Sequence, residues 1–167
     1  DYGRSRGLGD VYKRQMHGHI GGTSQGAEPD YVFKLWLGHG ITTVREPGGR
    51  GIDYSIDLKK KSNNNEIVAP RLIIYSRFGS GYDKEITSPE IAREWVRHNA
   101  KKGADGIKFF GADPNIMNAA LEENNKLGLG SAMHHAQLNV ARWNVLNSAR
   151  AGSVSYTHLR AHETCHN

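Results

Sequence analysis

One unit recurs along this chain: a helix, a glycine, a short apolar strand and a polar loop. The glycines that mark it are Gly40, Gly103, Gly128 and Gly152. Strands alternating with helices imply a parallel sheet joined by right-handed crossovers. Two architectures satisfy that rule, an open doubly wound sheet and a (β/α) barrel. In both, loops at the C-terminal ends of the strands build the site. The first strand separates the two. No phosphate-binding glycine pattern follows it, and Met16-His17-Gly18-His19 stands there instead. That favours a barrel carrying a metal.

The elements follow from local signals. Residues 29–37 are amphipathic with proline in the first turn, which predicts a helix ended by Gly38 and Gly40. Residues 41–45 (ITTVR) are β-branched and predict a strand, with Glu46-Pro47-Gly48-Gly49 as its loop. A helix is expected over 52–61 and a buried strand over 71–75. Ser88, Pro89 and Glu90 form a helix start, and Ile91, Trp95, Val96 and Ala100 continue it at helical spacing. Strands are expected over 106–110 and 131–135, with helices from Pro114 to Leu127 and over 140–150.

Composition narrows the class. The 167 residues include nine histidines and one cysteine, Cys165. A single cysteine excludes a disulfide framework and a cysteine-based zinc finger. No apolar run approaches the roughly 18 residues that span a bilayer, and no signal peptide opens the sequence as written. The ends differ in kind from the middle. "GLGDVYKRQ" and "SYTHLRAHET" show no sustained periodicity and resemble translated sequencing-library adapter, the read-through that flanks gene models from metagenomic reads. The expectation is a non-native extension over 1–15, a partial domain over 16–153, and a non-native tail over 154–167. Of the formal charge of +5, two units sit in 1–15 and none in 154–167, which leaves +3 for the middle.

His17 and His19 carry the clearest chemistry. On a strand, positions i and i+2 face the same way, so both imidazoles point together. Two converging neutral imidazoles begin a site for zinc or another divalent metal. Further polar residues of suitable type fall at later strand ends: Arg45 and Glu46, Lys108, and the pair His134 and His135.

At this point the chain resembles the metal-dependent amidohydrolase superfamily, in its imidazolonepropionase-like and prolidase-like branch. MHGHIGG is similar to that superfamily's first-strand HxH, GHGITTVREPGG to its second-strand segment, and KKGADGIKFFG to its fourth-strand segment with a lysine. AMHHAQ resembles the fifth-strand histidine, and SARAGS the approach to strand six. The resemblance implies a partial (β/α)8 TIM barrel of about the first five βα units. It implies that His17 and His19 bind a metal and that Lys108, carbamylated, bridges two metals. His135, which has a small residue after it in Ala136, would be the fifth-strand ligand, with His134 as the alternative. The cofactor would be one or two divalent ions, zinc by expectation. The implied reaction is attack of metal-activated water on a C–N amide bond of a cyclic amide, a dipeptide or a similar small substrate. The sixth-strand histidine and eighth-strand aspartate of that superfamily would lie beyond the cut, and extending the gene tests for both. His158 falls near the sixth-strand position but within the adapter-like tail. The fragment by itself is expected to be inactive, with exposed apolar surface along its unpaired sheet edge.

Blander readings stand beside these. Glu46 reads as structural, bonded to backbone or to Arg45. One of His134 and His135 is structural, because adjacent strand residues face opposite ways. His39 and His98 read as surface residues, and Lys59 to Lys61 as a solvated helix end. Trp36, Trp95 and Trp143 read as helix-to-sheet packing. The alternative function is a basic polyanion- or nucleic-acid-binding module, prompted by a sequence pI near 9.4. The scattered charge and lack of a binding motif speak against it, so no nucleic-acid or membrane partner is expected. A homo-oligomer is compatible with the full-length protein. The compartment is unknown, cytoplasmic by default.

Overall fold

The structure, a computed structural model, describes residues 14–15, 17–21, 26–49, 51–135, 142–153 and 155–156. The elements alternate as expected for an α/β chain. They are β1 (Arg14–Gln15), α1 (Pro29–Gly38), β2 (Thr43–Pro47), α2 (Ile52–Asn63), β3 (Arg71–Arg77), α3 (Pro89–Lys102), β4 (Gly106–Phe109), α4 (Pro114–Lys126), β5 (Gly130–Met133), α5 (Val145–Arg150) and β6 (Ser155–Tyr156). The chain divides into two compact units, Asp1–Ile74 and Tyr75–Asn167, with the division inside β3. Among the described residues no helix is long and apolar enough to cross a membrane.

In the first unit β1 pairs with β2 in parallel, Arg14 beside Thr43 and Gln15 beside Val44. The start of β3 joins through the Arg71 N–H, which donates to the Thr42 carbonyl at 2.9 Å. The core of this unit is Ile20, Phe33, Val44, Ile52, Ile56, Leu72 and Ile74, all buried. The strand expected at 41–45 sits two residues later. The Ile41 N–H is taken by the Trp36 carbonyl as α1 ends, at 2.9 Å, so Ile41 belongs to the helix terminus. Glu46 and Pro47 therefore close the strand and are not loop.

In the second unit β3, β4, β5 and β6 form a four-strand parallel sheet. In β4, Ile107 and Phe109 enter a core with Ala92, Trp95, Val96, Met117, Leu121, Met133 and Trp143. Strand alternation sends Lys108 to the opposite face. α3 begins as its signals predict: the Ser88 hydroxyl accepts the Ile91 N–H at 3.3 Å. It ends at Gly103, whose φ of 102° is left-handed and costs glycine little. A buried polar link ties α3 to β3. The Ser76 hydroxyl donates to Asn99 Oδ1 at 2.7 Å, and Asn99 Nδ2 donates to the Trp95 carbonyl at 3.0 Å.

Other boundaries differ from expectation as well: β3 runs on to Arg77 and β4 stops at Phe109. α2 runs to Asn63. α5 starts at Val145 because Asn144 forms a reciprocal cap with Asn147; residues 140–141 of the expected helix lie outside the described residues. Trp143 precedes that helix, and its indole N–H donates to the Ser148 hydroxyl at 2.6 Å. β5 ends at Met133, so His134 and His135 follow the strand. The ladder stops there because β4 ends at Phe109, whose carbonyl accepts the His134 N–H at 2.9 Å. β1 and β6 fall at the edges of the segments that the sequence reads as non-native. Ladders of two residues are backbone pairings and need no particular side chains.

Tyr31, Leu35 and Val68 of the first unit, and Leu127 and Leu146 of the second, are apolar or aromatic side chains exposed to solvent. Trp95 and Trp143 are buried and Trp36 partly so. His39 is exposed where α1 ends, as read from sequence, whereas His98 on α3 is half-buried against the Tyr82 ring. Lys61 pairs with Asp57 at 2.7 Å on an exposed helix end.

Candidate functional site

In the first unit the chain leaves β1 and runs beside β2, with the Gly18 N–H donating to the Arg45 carbonyl at 3.1 Å. His17 and His19 flank that tie. Their rings stand edge to face, with centroids 5.2 Å apart and planes at 89°. The two imidazoles come together as expected, but not on a strand: β1 ends at Gln15, and the Gly18 tie to Arg45 sets the turn between them. Nδ1 of His17 is shielded from solvent.

Glu46 holds this turn in place. Its side chain is fully buried. One carboxylate oxygen, Oε2, accepts the Ile20 N–H at 2.8 Å. The other, Oε1, accepts the Gly49 N–H and contacts His19 Nδ1 at 3.0 Å. The sequence reading of Glu46 as a backbone-bonding residue is correct in kind. It missed the contact with His19, which lies 27 positions away. Gly49 matters for a related reason. A Cβ there would overlap His19 Nδ1 and approach Glu46 Oε1 to 2.9 Å. Gly49→Ala is therefore expected to push His19 aside and cost about 1–3 kcal/mol. Thermal melting of the variant checks this; an unchanged melting temperature would show that the turn has room the structure does not give it.

The second unit holds the other predicted residues. Lys108 is almost fully buried, as its apolar neighbours suggest. Its Nζ lies 5.6 Å from the centre of the Phe110 ring. The Arg77 guanidinium lies 4.9 Å from the same ring, and His134 packs against it with centroids 5.4 Å apart. Arg77, Lys108 and His134 thus gather at Phe110. Arg77 and Phe110 were not singled out from sequence; the parallel register that sets Arg77 beside Lys108 appears only in the fold. His135 is placed differently. Burial holds its imidazole below the usual histidine range, opposed by a hydrogen bond with the backbone of Trp143. Its Nε2 is shielded from solvent. Ala136, invoked in choosing His135, lies outside the described residues, as does Met16.

Within the first unit, His17 and His19 supply two imidazole donors with one ring fixed by a carboxylate, a pattern that fits a divalent ion. Among the described residues no group of three His, Cys, Asp or Glu side chains converges as a complete ligand set. A groove of about 630 Å³ lies in the second unit along α3 and α4, lined by Thr87, Arg93, Asp113, Asn115 and Glu122 among others. It contains none of the predicted residues, and its ion pair, Arg93 with Glu122 at 3.2 Å, is an ordinary surface pair.

No family model and no curated protein sequence matches the chain. Solved structures do. A Xaa-Pro dipeptidase with methionine bound in its active site superposes with a TM-score of 0.62 at 21% identity, over 86% of this chain and 46% of that one. A putative prolidase from Bifidobacterium longum gives 0.60 at 21% identity, over 86% and 38%. The carboxyl transferase domain of Rhizobium etli pyruvate carboxylase gives 0.52 at 15% identity, over 86% and 26%. Neighbours named for such different reactions mean that the likeness is one of fold and does not fix the chemistry. The chain thus has the α/β fold of prolidase-type structures, over a span less than half the length of those two chains.

Proposed function

We propose that the chain is part of a metal-dependent hydrolase on a (β/α)8 barrel that cleaves a C–N amide bond in a dipeptide, cyclic amide or similar small substrate. The observation that carries the reading is the pair of imidazoles at 5.2 Å beside a buried carboxylate. The fold likeness to prolidase-type structures supports it. His17 and His19 would hold a first ion, zinc by expectation. A carbamylated Lys108, with His135 or His134, would serve a first or second one. A bound divalent ion supplies hydroxide near neutral pH and polarises the carbonyl under attack.

The chain's own part is orientation. Glu46 fixes the turn that presents both rings, and the β4 backbone carries Lys108 on the sheet face away from the helices. The polyanion-binding alternative is weakened by the surface itself. Lys34, Lys61, Lys84, Arg93, Arg97 and Lys126 each pair with an acidic neighbour.

Metal analysis of the full-length protein tests the proposal. About one or two divalent ions per chain are expected, and the double variant His17→Ala with His19→Ala should lose the ion those residues hold. Single variants at His134 and His135 identify which of the two ligates. A full-length protein that takes up no divalent ion, or a double variant that keeps its full complement, would overturn the reading.

A further inference from the structure

We propose that Glu46 is a positioning residue that locks His19 in the tautomer with its proton on Nδ1, leaving Nε2 as a bare donor nitrogen. This rests on reading His19 as a metal ligand, but the lock itself is a property of the metal-free chain.

The argument counts protons. Two backbone N–H groups, of Ile20 and Gly49, point at the Glu46 carboxylate, one at each oxygen. A backbone N–H can only donate, so both oxygens act as acceptors. The ionised carboxylate accepts all three contacts at full strength, whereas a protonated Oε1 would weaken the acceptor that the Gly49 N–H needs. An ionised Glu46 has no proton to give His19, so the 3.0 Å contact has Nδ1 donating. In neutral imidazole one nitrogen carries the proton and the other accepts, so Nε2 keeps its lone pair. The burial pattern agrees. Glu46 is fully enclosed, while the His19 side chain is 44% exposed, so the ring is anchored from inside and open outside. Gly49 contributes twice, with the N–H that occupies Oε1 and with the missing Cβ that lets His19 approach.

Glutamine at this position cannot reproduce the arrangement. Its amide offers one oxygen where three N–H groups need two. With the oxygen toward Ile20, the NH₂ faces Gly49 and can only donate to His19, which selects the opposite tautomer. With the oxygen toward Gly49 and His19, the NH₂ opposes the Ile20 N–H.

The test uses the ¹⁵N-labelled, metal-free chain at about pH 8, above the ordinary imidazole range. Long-range ¹H–¹⁵N spectra report which ring nitrogen carries the proton, with His19 assigned by loss of its signals in His19→Gln. The expected result is a protonated Nδ1 and a bare Nε2 in the wild type, reversed or mixed in Glu46→Gln. Zinc affinity should fall about 10- to 100-fold in Glu46→Gln. Phe33→Leu, in the core of the same unit, serves as the destabilised control and should leave both the tautomer and the affinity unchanged. A wild-type His19 protonated on Nε2 would overturn the proposal without any variant having to fold. So would a Glu46→Gln chain with unaltered tautomer and affinity. If the wild type shows the expected tautomer and Glu46→Gln shifts it, but zinc does not bind even the full-length protein, the lock stands and the metal reading fails.

Discussion

Replacing Trp95 by alanine is expected to cost about 4 kcal/mol, in the range seen when a fully buried aromatic is cut to a methyl. Trp95 has no exposed surface. It stands edge to face with Phe78 at 5.2 Å and packs in the core of the second unit with Ile107, Phe109 and Met133. Its indole N–H donates to the Ser80 carbonyl at 3.2 Å, which fastens α3 to the loop after β3. Truncation removes the apolar contacts and leaves a cavity. The Ser80 carbonyl can recruit water, so most of the loss is packing. Against a typical stability of about 5–15 kcal/mol, that loss is large enough to leave this unit partly unfolded at 25 °C. Urea unfolding followed by circular dichroism measures it. A loss under about 1 kcal/mol would mean that α3 does not seat Trp95 as described.

The contrast between α3 and the His19 turn shows what a sequence exposes and what it hides. α3 is legible because its signals are local: a serine cap, a proline in the first turn, an apolar stripe and a closing glycine lie within sixteen residues. β4 was equally plain, since a lysine among Ile107, Phe109 and Phe110 has to lie at a buried strand. The boundary of β2 was not. The β-branched run 41–45 looks uniform, and only the capture of the Ile41 N–H by Trp36 removes its first residues from the ladder. The early start assigned to α5 has a similar cause, because apolar residues near 140 gave no hint that Asn144 would cap the helix.

The candidate site divides along the same line. Strand periodicity predicts His17 and His19 together; they do come together, but in the irregular chain that follows β1, so that periodicity is not what places them. Glu46 touches His19 across 27 residues, and Arg77 reaches Phe110 across 33. Contacts of that span depend on which strands pair and in what register, and neither is written in local periodicity. The glycines after Glu46 were the one available hint. They were read as a loop, whereas Gly49 is also the space that His19 occupies.

Lys108→Met is expected to change the stability of the chain by less than about 2 kcal/mol in either direction. A lysine buried on a strand carries the cost of removing its ammonium from water, and a methionine of similar length does not. The Arg77 guanidinium shares the Phe110 ring with the Lys108 ammonium. Removing one of two cations at one ring relieves their repulsion, while the remaining cation–π contact is kept. The cation–π attraction that is lost contributes about 2 kcal/mol at a buried site, and the ammonium's other polar contacts go with it, so the two sides nearly balance. Urea unfolding of Lys108→Met and Lys108→Ala separates the terms, because alanine adds a cavity and methionine does not. Metal content measured on the same Lys108→Met sample should fall if the lysine serves a metal. Should Lys108→Met lose 2 kcal/mol or more while keeping its full metal content, the lysine holds the sheet together and the carbamate role falls.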